Sequence, residues 1–418
     1  MHPGGVPAPL PGCANDRTSF RWYRAPRSTT GYSPERLRRS VINVRLLSYI
    51  VLAGWLLALG RTILNLLVVP KLRVREPRRS PLVSAIVPAR DEEGSIERTV
   101  RALLAQTYRE LEVIVVNDRS TDATGEILAR IAREDPRLVI VNGEEPPPGW
   151  LGKPHALHLG SLRARGELLL FLDADIVYQP EAVGAAVAYF EESESALVTL
   201  FPRIEMRGFW EHVAMPNLAM MAFSVLPLWL TNRTRIRVFA VGGGPGNLVR
   251  RGDYDAAGGH EALKDAVIDD VALARLMRRS GRRTEAVRAE HLVSVRMYAG
   301  LREIVDGFTK NAFATFGRSY LVAVVLIVGS VVVHILPYVL AVTGDMVSIV
   351  TVGVISLLRV ILFASLGYRL DNALFGNPLM VLLWLWIMIR STWITGIRKQ
   401  LIWRGRTYDA AKTRFGAD

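Results

Sequence analysis

Long apolar runs lie near both ends of this 418-residue chain, whereas the middle alternates between short apolar and polar blocks. The first run covers residues 46–69, and about three more follow within residues 320–397. A helix crosses the hydrocarbon core of a bilayer with about 20 apolar residues, and these runs reach that length. The pattern therefore predicts one transmembrane helix before the central region and about three after it.

The central region, residues 80–317, has the pattern of an α/β domain. Short β-rich blocks alternate with stretches of helical periodicity. In chain order, the predicted strands are residues 81–89, 111–117, 138–142 and 168–172, and the predicted helices are 94–106, 122–134 and 155–165. Strands that alternate with helices form βαβ units. We therefore predict a Rossmann-like, mostly parallel sheet whose ligands bind beyond the carboxyl ends of the strands.

Three segments fall outside this alternation. Residues 1–40 are rich in Pro, Gly, Ser, Thr and Arg without apolar periodicity, which predicts a disordered basic segment, and residues 398–418 form a basic tail. The apolar stretch 209–230 is interrupted by Glu211, His212 and two prolines. We interpret this stretch as an amphipathic helix on the membrane surface, with a buried core helix as the alternative.

The charge of the chain favours a membrane over a nucleic acid as its partner. There are 52 Lys and Arg against 39 Asp and Glu, which gives a formal net charge of +13. The basic residues flank the apolar runs, as they do at the cytoplasmic ends of membrane helices, and no nucleic-acid-binding motif accompanies them. The single cysteine, Cys13, fits a reduced compartment. We therefore predict a multi-pass protein of the cell membrane with a cytoplasmic central domain and no nucleic-acid partner.

This topology contains a conflict at the C-terminal end. A cytoplasmic central domain followed by three crossings would place residues 398–418 outside, although their Lys and Arg favour the inside. One of the late apolar runs would then lie in the membrane interface or re-enter, and the sequence does not say which.

The strongest candidate for chemistry is Phe171-Leu-Asp-Ala-Asp175, which ends the most apolar predicted strand. Asp173 and Asp175 are two residues apart, so both carboxylates point to the same side of an extended chain. Two carboxylates at the dry end of a strand repel each other unless a divalent cation neutralises them. Mg²⁺ or Mn²⁺ does so while keeping positions open for phosphate oxygens. A solvated turn is the alternative, and the end of a buried strand favours the metal.

Polar residues also follow the first two predicted strands. Asp118, at the end of the second strand, can accept a hydrogen bond from a ribose hydroxyl or a base, whereas Asp122 more simply caps the next helix. The segment Pro88-Ala-Arg-Asp-Glu-Glu93 closes the first strand. Within it, Asp91 is either a nucleotide contact or a helix-entry residue.

A glycine-rich loop and an acidic pair lie in the second half of the domain. Gly242-Gly-Gly-Pro-Gly-Asn247 lets the backbone approach a substrate closely, or serves as an ordinary tight loop. Asp269 and Asp270 open a predicted helix, whose positively polarised start favours acids, so capping alone also explains them.

In this order, the motifs resemble the nucleotide-binding half of the inverting glycosyltransferases of family 2. The resemblance rests on PARDEE, VNDRSTDAT, GWLGKPHAL and FLDADI within residues 80–317. The segment Pro148-Gly-Trp-Leu-Gly-Lys-Pro154 is similar to the GW-x-GK segment of the bacterial hopanoid- and carotenoid-associated members. The resemblance implies a GT-A catalytic domain. It also implies that a UDP- or GDP-sugar is bound by Pro88, Arg90, Asp91, Glu92, Asp118, Lys153 and Asp173.

The resemblance also assigns the remaining roles. It implies that Lys153 lies near the diphosphate and that Asp173 and Asp175 frame Mg²⁺ or Mn²⁺. The family has an acidic pair, usually Glu-Asp, whose second acid is the catalytic base. Asp270 takes that place here and Asp269 is its neighbour, so the first acid is shorter than usual. The residues expected on the acceptor side are Gly243, Gly244 and Asn247.

We therefore predict a membrane-bound, metal-dependent inverting glycosyltransferase that transfers a sugar to a hydroxyl or phosphate of a lipid-type acceptor. Residues 400–408 depart from the Q-x-x-R-W segment of processive synthases, and the apolar runs are too few for an evident channel. A processive polysaccharide synthase is the first alternative. A non-enzymatic membrane scaffold is the second, and the retained acids disfavour it.

Overall fold

The computed structural model describes residues 34–315, 319–398, 400–403 and 406–409. Residues 1–33 of the predicted disordered segment, and most of the basic tail, lie outside this part of the chain. The chain divides into two units, residues 1–47 and 48–418, and the contacts given below belong to the second. The elements are α1 (Pro34–Val68), β1 (Val83–Ala89), α2 (Ile96–Leu104), β2 (Leu111–Asn117), α3 (Thr124–Glu134), β3 (Leu138–Asn142), α4 (Gly152–Arg163), β4 (Leu168–Phe171), β5 (Ile176–Tyr178), α5 (Ala182–Glu192), β6 (Leu197–Phe201), β7 (Arg203–Ile204), α6 (Phe209–Ala214), α7 (Pro216–Met220), α8 (Leu228–Thr231), β8 (Asn247–Arg250), α9 (Arg251–Ala256), α10 (Asp269–Arg279), β9 (Thr284–Arg288), β10 (Val293–Val295), α11 (Gly300–Thr315), α12 (Tyr320–Ser330), α13 (Leu336–Val342), α14 (Met346–Leu366), α15 (Asp371–Ser391), β11 (Gln400–Trp403) and β12 (Arg406–Asp409).

Seven strands form the central sheet, in the order β3-β2-β1-β4-β8-β6-β9. The pairs β1–β2, β1–β4, β2–β3 and β6–β9 are parallel, and β8 is antiparallel to both of its neighbours. β1, β2 and β4 are buried along almost their whole length, as expected for apolar runs in a sheet that is covered on both faces. The mostly parallel α/β sheet is therefore confirmed, and β2 and β3 begin and end at the predicted residues.

Parallel strands bring the ends of β1, β2 and β4 to one edge of the sheet. Val83 of β1 pairs with Leu111 of β2 and with Leu168 of β4, so the three strands run in step. The loops that follow them carry the PARDEE, VNDRSTDAT and FLDADI motifs. A smaller, three-stranded sheet has the order β5-β10-β7.

The stretch 209–230 does not form the single amphipathic helix that the sequence suggested. It contains α6, α7, a π-helical turn at Met221–Val225 and the start of α8. Pro227 lies at the break before α8, where its missing N–H and fixed φ prevent a helix from continuing. Phe209 and Val225 are exposed whereas Phe223 is buried, so the stretch still presents apolar side chains outward.

Four helices are long and apolar enough to cross a membrane: Asn43–Val68, Tyr320–Val342, Met346–Leu366 and Gly376–Ile397. They coincide with the four apolar runs of the sequence. α1 begins at Pro34, so it includes residues 34–40 of the segment predicted to be disordered. Arg61 of α1 is exposed, and its guanidinium donates to the Val225 carbonyl at 2.8 Å.

The central sheet is attached directly to the end of α1. The Leu72 N–H donates to the Arg288 carbonyl at 2.7 Å, and the Arg288 N–H donates to the Pro70 carbonyl at 2.8 Å. Residues 70–72 thus extend the sheet beside β9. This pairing leaves almost no linker between α1 and the α/β domain, so the domain is held close to the end of α1.

Glu211 links α6 to the start of α11. Its buried carboxylate accepts hydrogen bonds from the Arg296 guanidinium at 2.9 Å, the Arg207 N–H at 2.9 Å and the Gly300 N–H at 3.3 Å. Burial by itself would raise the pKa of Glu211, but these donors, Arg296 first, outweigh it and lower the pKa to about 2. The folded-state pKa lies below the unfolded value of about 4.3, so this stabilisation is present above pH 4.3 and is lost as the pH falls towards 2.

Glu211→Gln is therefore expected to lower the thermal unfolding temperature of the detergent-purified protein at pH 7. Loss of the charged acceptor of these hydrogen bonds lowers the free energy of unfolding by about 1–3 kcal/mol. The difference between the variant and the wild type should stay constant from pH 7 to about pH 4.3 and should shrink as the pH is lowered from there towards 2. Glu261→Gln, at an exposed position, is the control. A difference at pH 2 equal to that at pH 7 would contradict the assignment.

Candidate active site

A cavity of about 360 Å³ opens beyond the carboxyl ends of β1, β2 and β4. Its walls come from the loops after these strands, the start of α4 and the start of α10. Six of the seven residues predicted to bind the donor line it: Pro88, Arg90, Glu92, Asp118, Lys153 and Asp173. The cavity also contains Asp175, Asp269 and Asp270. The structure thus brings together acids that are up to 178 residues apart in the sequence, from Glu92 to Asp270.

Lys153 is the central cation of the cavity. Its ammonium lies 2.7 Å from Asp173 Oδ1 and 3.0 Å from Asp269 Oδ1, so it bridges the loop after β4 and the start of α10. Burial would lower the pKa of Lys153, but the carboxylates of Asp173, Asp269 and Asp270 outweigh it and hold the pKa well above its usual value. The lysine is therefore charged throughout the physiological pH range.

The two carboxylates of the D-x-D segment fit a divalent cation. Burial, together with the charges of Asp173 and Glu92, raises the pKa of Asp175, which shows that negative charge accumulates at this point. Among the described residues, no group of three or more His, Cys, Asp or Glu is arranged to hold a metal ion. Mg²⁺ is commonly held by one or two carboxylates and by substrate phosphates, so Asp173 and Asp175 supply a suitable protein share.

The acidic pair lies at the first turn of α10, as predicted. Asp269 is buried, and Asp270 is half-buried and accepts the Val271 N–H at 2.7 Å. Burial raises the pKa of Asp270, and the charge of Asp173 adds to this, while Lys153 opposes it. A carboxyl with a raised pKa is better matched to accepting a proton near neutral pH than an ordinary aspartate.

The glycine-rich loop passes between the acids rather than along the main cavity. A Cβ on Gly242 would lie 2.0 Å from the Asp270 carbonyl oxygen, and one on Gly244 would lie 2.1 Å from Asp173 Oδ2. Gly243, Gly244 and Asn247, the predicted acceptor-side residues, line a second and much smaller cavity behind Lys153. Their surroundings indicate that they position the acids instead of facing an acceptor.

Asn247 connects the glycine-rich loop to the backbone of Asp270. Its side chain is buried, receives the Thr199 hydroxyl at 2.7 Å, and donates to the Asp270 carbonyl at 3.3 Å. Thr199 also donates to the Val241 carbonyl at 3.0 Å. This chain of hydrogen bonds connects β6, the glycine-rich loop and the start of α10. The role of Thr199 could not be predicted from the sequence, because an isolated threonine in a strand is common.

Gly242→Ala should therefore disrupt the site from within. The added methyl group meets backbone rather than a flexible side chain, so the first turn of α10 must move. A displacement of about 1 Å at a catalytic group reduces turnover about 10²-fold. Gly252→Ala is the matched control, because a Cβ there meets nothing within 4 Å. Sugar transfer by the two variants, compared at equal amounts of folded protein, checks this, and equal activities would contradict it.

Asp91 lies away from the cavity. Its backbone has a positive φ of 52°, and its carboxylate accepts the Thr121 N–H at 2.7 Å. It therefore ties the loop after β1 to the loop after β2. Arg90 points inward instead and donates to the Asp118 backbone carbonyl at 2.9 Å. Its Nη1 also lies 3.7 Å from Asp118 Oδ2. Of the residues in these loops, Arg90 and Asp118 are better placed for a nucleotide than Asp91.

Met297 and Tyr298 close the opposite side of the main cavity. Together with Asp175, they also line a neighbouring cavity of about 240 Å³, which is distinct from the small cavity beside the glycine-rich loop. This neighbouring cavity contains Arg98, Arg207 and Arg296. Arg207 also lines another cavity, of about 520 Å³. The other residues around that cavity include Arg203, Arg369 and the residues that directly follow α14. Two arginine-bearing cavities that share Arg207 thus lie between the residues just after α14 and Asp175.

The sheet order and the carboxylate-lined cavity at its edge define a GT-A fold. A solved mannosyltransferase from Pyrobaculum calidifontis, in complex with GDP-Man and Mn²⁺, matches with a TM-score of 0.51 and 20% identity over 84% of this chain and 99% of that one. At this identity the likeness shows the fold alone. Residues 84–251 match the family model described as Glycosyl transferase family 2. The predicted resemblance to glycosyltransferase family 2 is therefore confirmed over these residues.

Two sequence relatives carry the same name. The 4,4'-diaponeurosporenoate glycosyltransferase of Staphylococcus aureus (strain USA300) is 28% identical over 347 residues, which is 79% of this chain and 89% of that protein. The protein of the same name from Staphylococcus haemolyticus (strain JCSC1435) is 27% identical over 245 residues, 57% of this chain and 62% of that protein. The match therefore spans less than two thirds of the S. haemolyticus protein.

Proposed function

We propose that this protein is a membrane-bound inverting glycosyltransferase that transfers a sugar from a UDP- or GDP-sugar to an oxygen of an amphiphilic lipid. The observation that carries this proposal is the convergence of Lys153, Asp173, Asp175 and Asp270 in one cavity of a family 2 domain. The domain is attached directly to a helix long enough to cross a membrane. An acceptor dissolved in the bilayer can therefore reach the site without leaving the bilayer completely.

Donor binding uses the loops after β1 and β2 and the start of α4. Asp118 and Arg90 are placed to contact the nucleoside, with Asp118 accepting from hydroxyl or base N–H groups. Lys153 supplies a positive charge for the diphosphate, and it would exchange part of its contact with Asp173 for phosphate oxygens. A divalent cation at Asp173 and Asp175, such as the Mn²⁺ in the mannosyltransferase structure, would stabilise the negative charge of the leaving diphosphate.

The transfer step assigns Asp270 as the general base. Asp270 accepts the proton of the acceptor hydroxyl while the acceptor oxygen bonds to the anomeric carbon. The bond from that carbon to the diphosphate oxygen breaks on the opposite face, and the nucleoside diphosphate leaves with the electron pair. The configuration at the carbon is therefore inverted. Asp269, held by Lys153, fixes the first turn of α10 beside it.

The acceptor enters through the arginine-bearing cavities. Arg98 and Arg207 contact Glu205 at 3.6 and 3.7 Å, so their charges are partly compensated, and Arg203 is exposed. Such a path suits an amphiphile with a polar or anionic head, and the relatives are named for a carotenoid acid. A carboxylate acceptor would attack without losing a proton, in which case Asp270 would orient it as the protonated acid, whose O–H donates a hydrogen bond to the acceptor.

The test uses membranes that contain the protein, a panel of labelled nucleotide sugars, and Mg²⁺ or Mn²⁺. We expect the label to appear in a small lipid of the organic extract. Addition of a chelator should abolish this labelling, and restoring the metal should recover it. Activity that is unchanged by chelator would remove the metal from the proposal. Label confined to a large, water-soluble product would favour a processive polysaccharide synthase instead.

A further inference from the structure

Two of the long apolar helices end beside the catalytic domain. Arg288, in β9 of the central sheet, donates from one guanidinium nitrogen to the Leu66 carbonyl at 2.9 Å and from the other to the Ser365 carbonyl at 3.3 Å. Leu66 lies in the last turn of α1, and Ser365 lies in the last turn of α14. The C-terminal ends of both helices therefore lie at the same level, next to the domain.

The start of α12 lies on this same side. Residues 343–345 join α13 to α14 in a hairpin, so α12–α13 runs opposite to α14. The Trp55 indole donates to the Val333 carbonyl at 2.9 Å. Trp55 precedes Val68 by 13 residues (68 − 55), and Val333 follows Tyr320 by 13 (333 − 320). At about 1.5 Å per residue, both helix ends lie about 20 Å from this contact, which puts Tyr320 level with Val68.

Both ends of α15 return to this side. Only residues 367–370 separate α14 from α15, and the Asn372 amide donates to the His212 carbonyl of the catalytic domain. At the other end, Ser391 donates to the Thr309 carbonyl of α11 at 2.5 Å. Gly396 packs so closely on Tyr320 that a Cβ would lie 3.2 Å from its ring. A helix that crossed the membrane would have its ends on opposite sides.

α15 and its continuation also have one exposed apolar face. The exposed side chains recur every three or four residues, at Leu379, Leu382, Trp386, Ile389, Trp393 and Ile397. Ile387 and Ser391 on the other face are completely buried. Arg390 lies 6.0 Å from the Trp386 ring and Arg398 lies 5.9 Å from the Trp393 ring. Tryptophan beside arginine is typical of the headgroup level of a bilayer.

We propose that α15 does not cross the membrane but lies along the bilayer on the side of the catalytic domain, with the face from Leu379 to Ile397 in contact with lipid. The crossing helices of the described chain are then α1, α12–α13 and α14. Arg398 emerges on the catalytic side, which removes the conflict between the basic tail and a cytoplasmic domain. The occupant of this face is the lipid bilayer itself, since the face continues directly into the exposed apolar surface of α12.

The test uses single cysteines in the full chain with Cys13 replaced by Ser. Arg302→Cys marks the catalytic side, Thr343→Cys marks the hairpin, and Arg398→Cys follows α15. A membrane-impermeant maleimide is added to sealed right-side-out and inverted vesicles, with solubilised protein giving the total labelling. We expect Arg302→Cys and Arg398→Cys to react from the same side and Thr343→Cys to react from the other. Labelling of Arg398→Cys together with Thr343→Cys overturns the proposal.

A second measurement tests the lipid contact and does not depend on enzymatic activity. A nitroxide on Ile389→Cys should collide more with oxygen, which dissolves in lipid, than with a water-soluble nickel chelate. A nitroxide on Arg302→Cys should show the reverse preference. The same aqueous preference at both positions would exclude a lipid-facing surface on α15.

Discussion

Asp270→Asn is expected to lose most sugar transfer while retaining the fold. The asparagine has the shape of aspartate and can still accept the Val271 N–H, but its amide does not accept the proton of an acceptor hydroxyl. General bases contribute about 10²–10⁴-fold to turnover, so a loss of that size is expected in kcat. Initial rates of lipid labelling at saturating donor and acceptor give the measurement.

The comparison variant for this substitution is Asp255→Asn, which makes the same chemical change at an exposed position outside the cavity. It should have wild-type kcat and the same donor KM. Donor binding by Asp270→Asn, measured without acceptor, should also stay near wild type, because Lys153 and Asp118 remain. Near-normal turnover of Asp270→Asn would remove its role as the base, and it would favour an acceptor that is already ionised.

The half of the central sheet formed by β1, β2, β3 and β4 could be predicted from the sequence, whereas β6, β8 and β9 were not predicted. β2 and β3 were predicted to the residue, since each is a short apolar run bounded by polar or glycine-containing loops. The rule that ligands bind beyond the carboxyl ends of parallel strands then directed attention to Asp118, Asp173 and Asp175. These positions follow from local pattern, and all of them line the cavity.

The remaining features depend on contacts between distant segments. Lys153 was expected near the diphosphate, but its two ion pairs join β4 and α10, which are about 100 residues apart. Asp91 has the sequence context of a ligand and instead closes a loop–loop contact with Thr121. Within residues 209–230, the Phe223 carbonyl accepts a hydrogen bond from Asn65 of α1 at 2.8 Å, across a sequence separation of 158 residues. No periodicity in one segment reveals these partners.

The electrostatic balance of the cavity rests on one residue. Up to six negative charges come together in the cavity, from Glu92, Asp118, Asp173, Asp175, Asp269 and Asp270. Lys153 is the cation in direct contact with two of them. A nucleotide diphosphate adds further negative charge, so the site accepts its donor only when enough positive charge is present. Arg90 is occupied by the Asp118 carbonyl on the nucleoside side and does not substitute for the lysine.

Lys153→Gln is therefore expected to weaken donor binding and to lower kcat as well. A charge-assisted hydrogen bond contributes about 1.5–3 kcal/mol, which corresponds to about a 10- to 150-fold rise in the donor Kd. Lys153→Arg should recover part of the affinity, because it restores the charge in a different geometry. Lys264→Gln, an exposed lysine nearby whose backbone carbonyl contacts Leu151, is the control. If Lys153→Gln lowered only the unfolding temperature and left donor Kd unchanged, the lysine would be a structural bridge between β4 and α10 and not a ligand of the diphosphate.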